Sequence, residues 1–278
     1  MSVSLDKSIW SEFILEQIVA NSPYITVANK DFSGEAALGK TVVINQLDDF
    51  TASNYVIGTN MAMSAATFTS QSLTISQQKY VFKAVDQLYS RQYDVSFMQK
   101  VMTKTADVFA QAADAYLAGL YTAVSGSTLD ITSGSVGWTI GTNGDTAASS
   151  SAYNAIVKLN TLLDENNASQ DGRWCIIPAW MKEKLILDTR FGAHVTYLQN
   201  GQIQGATVNG TTIYYSNNVP SGWVLSGVTD AFAFASGLTS LQLIQPEAQV
   251  ADAVKALYVY GGKVIKTSKV ATLHAIEY

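Results

Sequence analysis

The octapeptide Gly34-Glu35-Ala36-Ala37-Leu38-Gly39-Lys40-Thr41 fits the phosphate-loop pattern G-x-x-x-x-G-K-[ST] at every fixed position. In such a loop, backbone N–H groups cradle phosphates, the lysine reaches the outer phosphates and the hydroxyl binds magnesium. The chemistry needs a buried strand before the loop and a helix after it, whose N-terminal amides and dipole complete the anion site. Neither flank fits. Asn29, Lys30 and Asp31 stand where the buried strand should run, while Thr41, Val42, Val43 and Ile44 have the character of a strand where the helix should begin. No apolar run ending in a magnesium-binding aspartate follows.

The remaining reactive side chains are scattered. His194 and His274 are isolated, and no Cys/His cluster has zinc spacing. Cys175 lies between Trp174 and the pair Ile176-Ile177, an apolar setting that predicts a buried, inert thiol. The adjacent carboxylates Asp48-Asp49 and Asp164-Glu165 diverge on a strand or stand about 100° apart on a helix, so solvated edges are expected for both. There is no G-x-S-x-G elbow. The sequence therefore predicts no catalytic residues, no cofactor and no metal.

What the chain lacks in chemistry it has in uncharged surface. Charged residues make up 14% of its 278 residues, against roughly 25% in ordinary soluble domains. None occurs between Phe50 and Gln78, and none between Phe191 and Thr229. Depletion of charge is a property of interface cores. A net charge of −5 argues against gripping nucleic acid through a basic patch. The segment Met1 to Asn21 interleaves Asp6, Lys7, Glu12 and Glu16 with its apolar residues, unlike a signal peptide, and no run reaches membrane-spanning length. With one cysteine and no possible internal disulfide, synthesis inside a cell is expected.

Periodicity then supplies the elements. Ile9, Phe13 and Gln17 or Ile18 have helical spacing behind Ser8, forming a short arm that needs something to lie on. Val42 and Ile44, and later Leu73 with Ile75 and Tyr80 with Phe82, follow a period of two and predict two long strands. Between them the charge-free stretch, with Met61, Ala62, Met63, Ala65 and Ala66, reads as the tip of an extended hairpin. An isolated two-stranded ribbon is marginal in water, so it is expected to lie on a neighbouring molecule. Met98, Val101, Met102, Thr105, Phe109, Ala112, Tyr116, Leu120 and Val124 mark a helix from about Asp94 to Val124, stopped by Gly126. Residues 125–150, rich in Gly, Ser and Thr, suggest a boundary or surface hairpin.

A second region follows. Ala152, Ile156, Leu159, Leu162 and Leu163 predict a helix, Trp174 to Ile177 a buried strand ended by Pro178, and Pro178 to Leu187 a short helix. Gly201 to Gly210 reads as loop; Thr211 to Tyr215 and Ala231 to Ile244 read as strands. Ala256 to Ile276 reads as an antiparallel pair turning at Gly261-Gly262.

This order of parts resembles the tailed-phage major capsid proteins with the Hong Kong 97 head fold, which bacterial encapsulin shells share. Tyr24 to Lys30 followed by Asp31-Phe32-Ser33-Gly34 resembles the turn from N-terminal arm into extended loop, and Gly39-Lys40-Thr41-Val42-Val43-Ile44 its first strand. Leu73 to Phe82 resembles the returning strand, Asp86 to Val124 the spine helix, Gly210 to Pro220 an axial-domain strand and turn, and Leu257 to Val264 terminal strands of the peripheral domain.

The resemblance implies an α+β fold with an arm at 1–30, an extended β-hairpin loop at 31–84, a peripheral domain with the spine helix at 85–148 completed by 230–278, and an axial domain at 149–229. It implies a non-enzymatic coat subunit that forms hexamers and pentamers of an icosahedral head around double-stranded DNA. Neighbours would be touched by Asn54, Tyr55, Met61, Met63 and Phe68 of the loop and by Trp10, Phe13 and Ile14 of the arm. Because residue 1 almost immediately enters the arm, a separate scaffolding protein is expected, with a portal, a possible decoration protein and weak DNA contact as further partners. An encapsulin-like compartment, a tail-tube subunit and a P-loop NTPase remain as alternative readings. Some relatives join subunits through a lysine on the extended loop, but none lies between Phe50 and Gln78. Shells of this protein are therefore expected to run as monomers on denaturing gels; a ladder of covalent multimers would contradict that.

Overall fold

The computed structural model describes residues 7–33, 41–47, 50, 52–55, 57–58, 60–61, 63, 65–86, 96–124, 128–129, 138–141, 150–194, 207–244 and 251–277. Residues 34–40 of the phosphate-loop match, Asp48, Asp49, Gly126, the loop at 201–206 and most of the stretch 125–150 lie outside them.

The arm is a helix, α1 (Lys7–Ala20), followed by a single turn, α2 (Pro23–Val27), which starts at proline behind an Ser22 N-cap. A ribbon follows: β1 (Thr41–Leu47) pairs antiparallel with β2 (Phe68–Thr74), from Thr41 opposite Thr74 to Leu47 opposite Phe68. The returning segment is not one long strand. It breaks after Thr74, and β3 (Gln77–Asp86) joins a different, three-stranded sheet in the order β11 (Phe232–Ile244), β12 (Ala251–Val264), β3.

The long helix α3 runs from Ser96 to Ala118, about 35 Å at 1.5 Å per residue. It is shorter than its periodicity suggested, because Gly119 opens a 3-10 turn that carries the chain to Ala123. Phe109, Ala113 and Leu117 of α3 and Ile14 and Ile18 of α1 pack with Tyr258 and Tyr260 of the three-stranded sheet in one core.

A second, eight-stranded sheet contains β4 (Thr128–Leu129), β5 (Trp138–Gly141), β6 (Ser150–Ser151), β7 (Arg173–Ile177), β8 (Thr207–Val208), β9 (Thr211–Tyr215), β10 (Trp223–Val228) and β13 (Val270–Glu277). Its main path runs β6-β5-β13-β10-β7-β9-β8, with β4 beside β13. Helices α4 (Ala152–Glu165) and α5 (Ala179–Leu187) share its core, and α6 (Thr189–His194) follows α5. Strand β7 is buried throughout, and its alternation joins the two halves: Trp174 and Ile176 enter the first core, Cys175 and Ile177 the second.

Two expectations for the C-terminal end change. Gly261-Gly262 is not a turn; β12 runs straight through it, paired there with β11, after its pairing with β3 has ended at Tyr260. Both glycines are there for clearance: a Cβ at Gly261 would come within 2.6 Å of the Thr74 carbonyl oxygen at the root of the ribbon, and one at Gly262 within 2.4 Å of Leu117 Cδ2 on α3. The last strand, β13, pairs with β10 and not with β12, so residues 270–277 belong to the eight-stranded sheet, apart from the sheet that 232–264 completes.

One carboxylate ties these parts together. Asp114 on α3 is almost fully buried and accepts hydrogen bonds from Ser22 Oγ (2.6 Å), the Tyr24 N–H (3.0 Å), Ser216 Oγ (2.6 Å) and Asn218 Nδ2 (3.0 Å). Those donors come from the arm and from the turn after β9. Asp114→Ala would leave them unpaired in the interior, and an unpaired buried polar group costs about 1–3 kcal/mol. A loss of at least about 3 kcal/mol in chemical denaturation is expected; a loss below about 1 kcal/mol would show that the lock is not structural.

Candidate functional site

The ribbon has two faces with different fates. Val42 and Ile44 are buried, whereas Val43 and Leu47 on the opposite face are exposed. The buried face is held at its root: Ile44, Leu73 and Ile75 pack with Ala233, Ala235, Val259 and Ile265, with Phe32 against them. Gln71 Nε2 donates to the Ile265 carbonyl at 2.8 Å and Lys263 Nζ to the Ser72 carbonyl at 3.0 Å. Within the ribbon, Ser70 Oγ donates to Asn45 Oδ1 at 2.7 Å across the register.

Beyond the ladder the described residues meet little but solvent. Phe50, Ile57, Met61 and Met63 are 75%, 91%, 82% and 99% exposed, and Tyr55 and Phe68 are largely exposed. Asn54 is exposed as well. All of these residues lie in the charge-free interval or at its edges. An apolar surface of this kind, contiguous in sequence and without charge, has the composition of an interface core. The charge-free interval and the family resemblance pointed to Asn54, Tyr55, Met61, Met63 and Phe68 but passed over Val43, Leu47, Phe50 and Ile57. The available signal was that β1 is apolar on both faces, as a strand covered on both sides should be. Tyr80 and Phe82, on one face of β3, are exposed too.

The arm is arranged differently. Ile14 is fully buried within its own subunit, so it has no surface to offer a neighbour; the expectation of a contact there is corrected. The cause is that α1 packs against α3 and β11, and Asn29 is stitched to β11 by Asn29 N–H to the Phe232 carbonyl (2.8 Å) and the Phe234 N–H to the Asn29 carbonyl (2.9 Å). Phe13 is half-buried against the same core, and the side chain of Trp10 lies outside the described residues.

Several of the residues weighed for chemistry have structural roles, while Lys40, Asp48, Asp49 and the side chain of His194 lie outside the described residues. Thr41 opens a strand where a phosphate loop needs a helix. Cys175 is fully buried, and burial pushes its thiol up to about 12, far from a nucleophile's range. The His274 ring stacks on Trp223 (centroids 4.7 Å apart), which stacks on Tyr121 (4.9 Å). Asp164 and Glu165 are exposed, as expected of a solvated edge, and Asp164 also accepts from buried Arg173 at 2.6 Å, while the Arg173 guanidinium donates to the carbonyls of Ser169 and Ala168. Lys269 Nζ donates to the Asn166 and Asn167 carbonyls, satisfying the C-terminal end of α4 as a cation there should. Among the described residues no group of His, Cys, Asp and Glu could hold a metal, and no helix is long and apolar enough to cross a membrane.

Residues 69–273 match the family model described as phage capsid protein, well over half of the chain. The chain belongs to the phage capsid protein family. Solved structures agree in fold. A chain from Mycobacterium phage Che8 is 21% identical with a TM-score of 0.66, covering 90% of each chain. One from the capsid of cyanophage P-SCSP1u is 15% identical with a TM-score of 0.64, over 91% of this chain and 87% of that one. A virus-like particle subunit from Pyrococcus furiosus is 14% identical with a TM-score of 0.59, over 96% and 98%. No curated protein matches the sequence. The architecture is the Hong Kong 97 type of phage major capsid proteins, and this capsid protein is a structural component of the virion, not an enzyme.

A second charge network in this capsid protein is likewise structural. The buried Asp188 carboxylate accepts from Arg190 Nε (3.0 Å) and Nη2 (2.7 Å), and Arg190 also donates to Asn154 Oδ1 (2.9 Å) and Ser151 Oγ (2.7 Å), tying α6 to the start of α4. The Arg190 hydrogen bonds hold the Asp188 carboxyl below the usual range, outweighing burial, which acts in the other direction. A depressed native value means the stabilisation is fully present above the unfolded value of about 3.9 and is lost as pH falls through the native one. Asp188→Asn should cost about 1–3 kcal/mol at pH 7, with the gap closing in melts taken at strongly acidic pH. An equal gap at both pH values would contradict this assignment.

Proposed function

We propose that this capsid protein assembles as hexamers and pentamers into the icosahedral head that encloses a phage's double-stranded DNA. The observation that carries the reading is the ribbon and its loop, anchored at the root and bearing exposed apolar residues without charge. Laid over an adjacent subunit, that surface would be dewatered at each copy of one repeating contact. A closed shell multiplies such contacts, so none need be strong alone. Tyr55, Met61, Met63 and Phe68 would be buried between subunits, with Asn54 at the rim. Phe13 and Trp10 of the arm remain candidates for a second contact.

The division into a peripheral unit, built on α3 and the three-stranded sheet, and an axial unit, built on the eight-stranded sheet, belongs to the same reading. Assembly in the host cytoplasm with a separate scaffolding protein, a portal and an optional decoration protein completes it. The acidic net charge fits an inner wall that holds DNA only weakly, since many phosphate contacts would grip it. The long helix favours a head over a tail tube, and the family match favours a phage head over a bacterial compartment.

Ile57→Asp tests the contact. Because Ile57 is nearly fully exposed, the subunit should fold with stability within about 0.5 kcal/mol of the unsubstituted chain. Co-expressed with the phage's scaffold and viewed by electron microscopy, the unsubstituted protein should give closed polyhedra and the variant unassembled subunits. Normal polyhedra from the variant would refute a loop-mediated contact.

A further inference from the structure

The sequence holds six methionines. Of those whose side chains are described, Met102 and Met181 are fully buried in the two cores, whereas Met61 and Met63 are 82% and 99% exposed on the loop. Thioether oxidation follows access, so a mild oxidant reaching a native subunit would meet these two sulfurs long before the core pair. They also occupy the middle of the interval without a single charged side chain.

From this placement we infer that Met61 and Met63 form a peroxide-sensitive modification site that decides whether the loop can dock; the inference rests on the reading of the loop as an intersubunit contact. The thioether sulfur attacks one oxygen of hydrogen peroxide, the O–O bond breaks, an S–O bond forms and water leaves. Sulfur is oxidised and peroxide reduced, with no other reactant. The product is a sulfoxide, whose strongly polar oxygen sits on a face that must lose its water when it docks. Burying such a group without a hydrogen-bond donor is unfavourable, and methionine surfaces depend on an apolar, adaptable side chain. Two sulfoxides per subunit repeat the penalty at every copy of the contact, so modest local weakening becomes a large change in shell yield. Once the loop is docked the sulfurs are covered, which makes free subunits vulnerable and finished shells resistant. A methionine sulfoxide reductase reverses the modification by removing the oxygen as water at the expense of a thiol reductant.

The test uses full-length subunits competent for scaffold-assisted assembly, treated with hydrogen peroxide and digested for peptide mass mapping. Free subunits should gain about 16 Da at Met61 and at Met63 but not at Met102 or Met181. Closed shells under the same treatment should react at those two positions at least about tenfold more slowly, and oxidised subunits should assemble with at least about tenfold lower yield. Reductase treatment should restore that yield, and M61L/M63L subunits should keep theirs after peroxide. Full-yield assembly of oxidised subunits, failure of the reductase to restore yield, or equal peroxide sensitivity of M61L/M63L would each overturn the inference. Ile57→Asp separates the two levels: if it blocks assembly while sulfoxidation does not, the contact stands and the modification site falls. If neither matters, the contact falls as well.

Discussion

A two-stranded ribbon has two faces, and this subunit can cover only one of them. Ile44, Leu73 and Ile75 settle on the three-stranded sheet, and Lys263 and Gln71 add hydrogen bonds at that root. Val43, Leu47 and the described apolar residues of the loop beyond them are exposed, without such support from the described part of their own chain. Two strands alone are marginal in water, so the root must be held rigidly by the body, and the free face is left for something outside it. The remainder of the fold can be understood as the means of holding that root.

The body does this by layering. Strand β12 lies between β11 and β3, under α3 on one side and the root of the ribbon on the other. Gly261 and Gly262 are the points where both layers press closest, one toward Thr74 and the other toward Leu117. On the far side of α3, the buried Asp114 gathers hydrogen bonds from the arm and from the β9 turn, while β7 gives alternate side chains to both cores. The root of the ribbon is thus connected through packed side chains and a hydrogen-bond cluster to the eight-stranded sheet.

Much of this was legible in the sequence because local periodicity carries it: Ala152 to Leu163, Trp174 to Ile177 and Thr211 to Tyr215 form the elements their spacing implies. What failed was long-range. The break after Thr74 and the passage of β12 through two glycines depend on which strand lies alongside, and a glycine pair looks the same in a turn as at a close crossing. The arm's dependence on another surface was legible, but not that its own α3 supplies it. Asp114 gave no local signal, since its donors are about a hundred residues away in either direction. The exposed apolar surface was partly visible: its missing charge marked the interval, while the outward apolar face of β1 was masked by alternation with Val42 and Ile44.

In the proposed assembly a neighbouring subunit completes the loop's apolar face. A cryo-electron-microscopy reconstruction of assembled particles measures this directly. Ile57, Met61 and Met63 should lie against an adjacent subunit, excluded from water. A closed particle in which those three side chains remain solvent-exposed would contradict it.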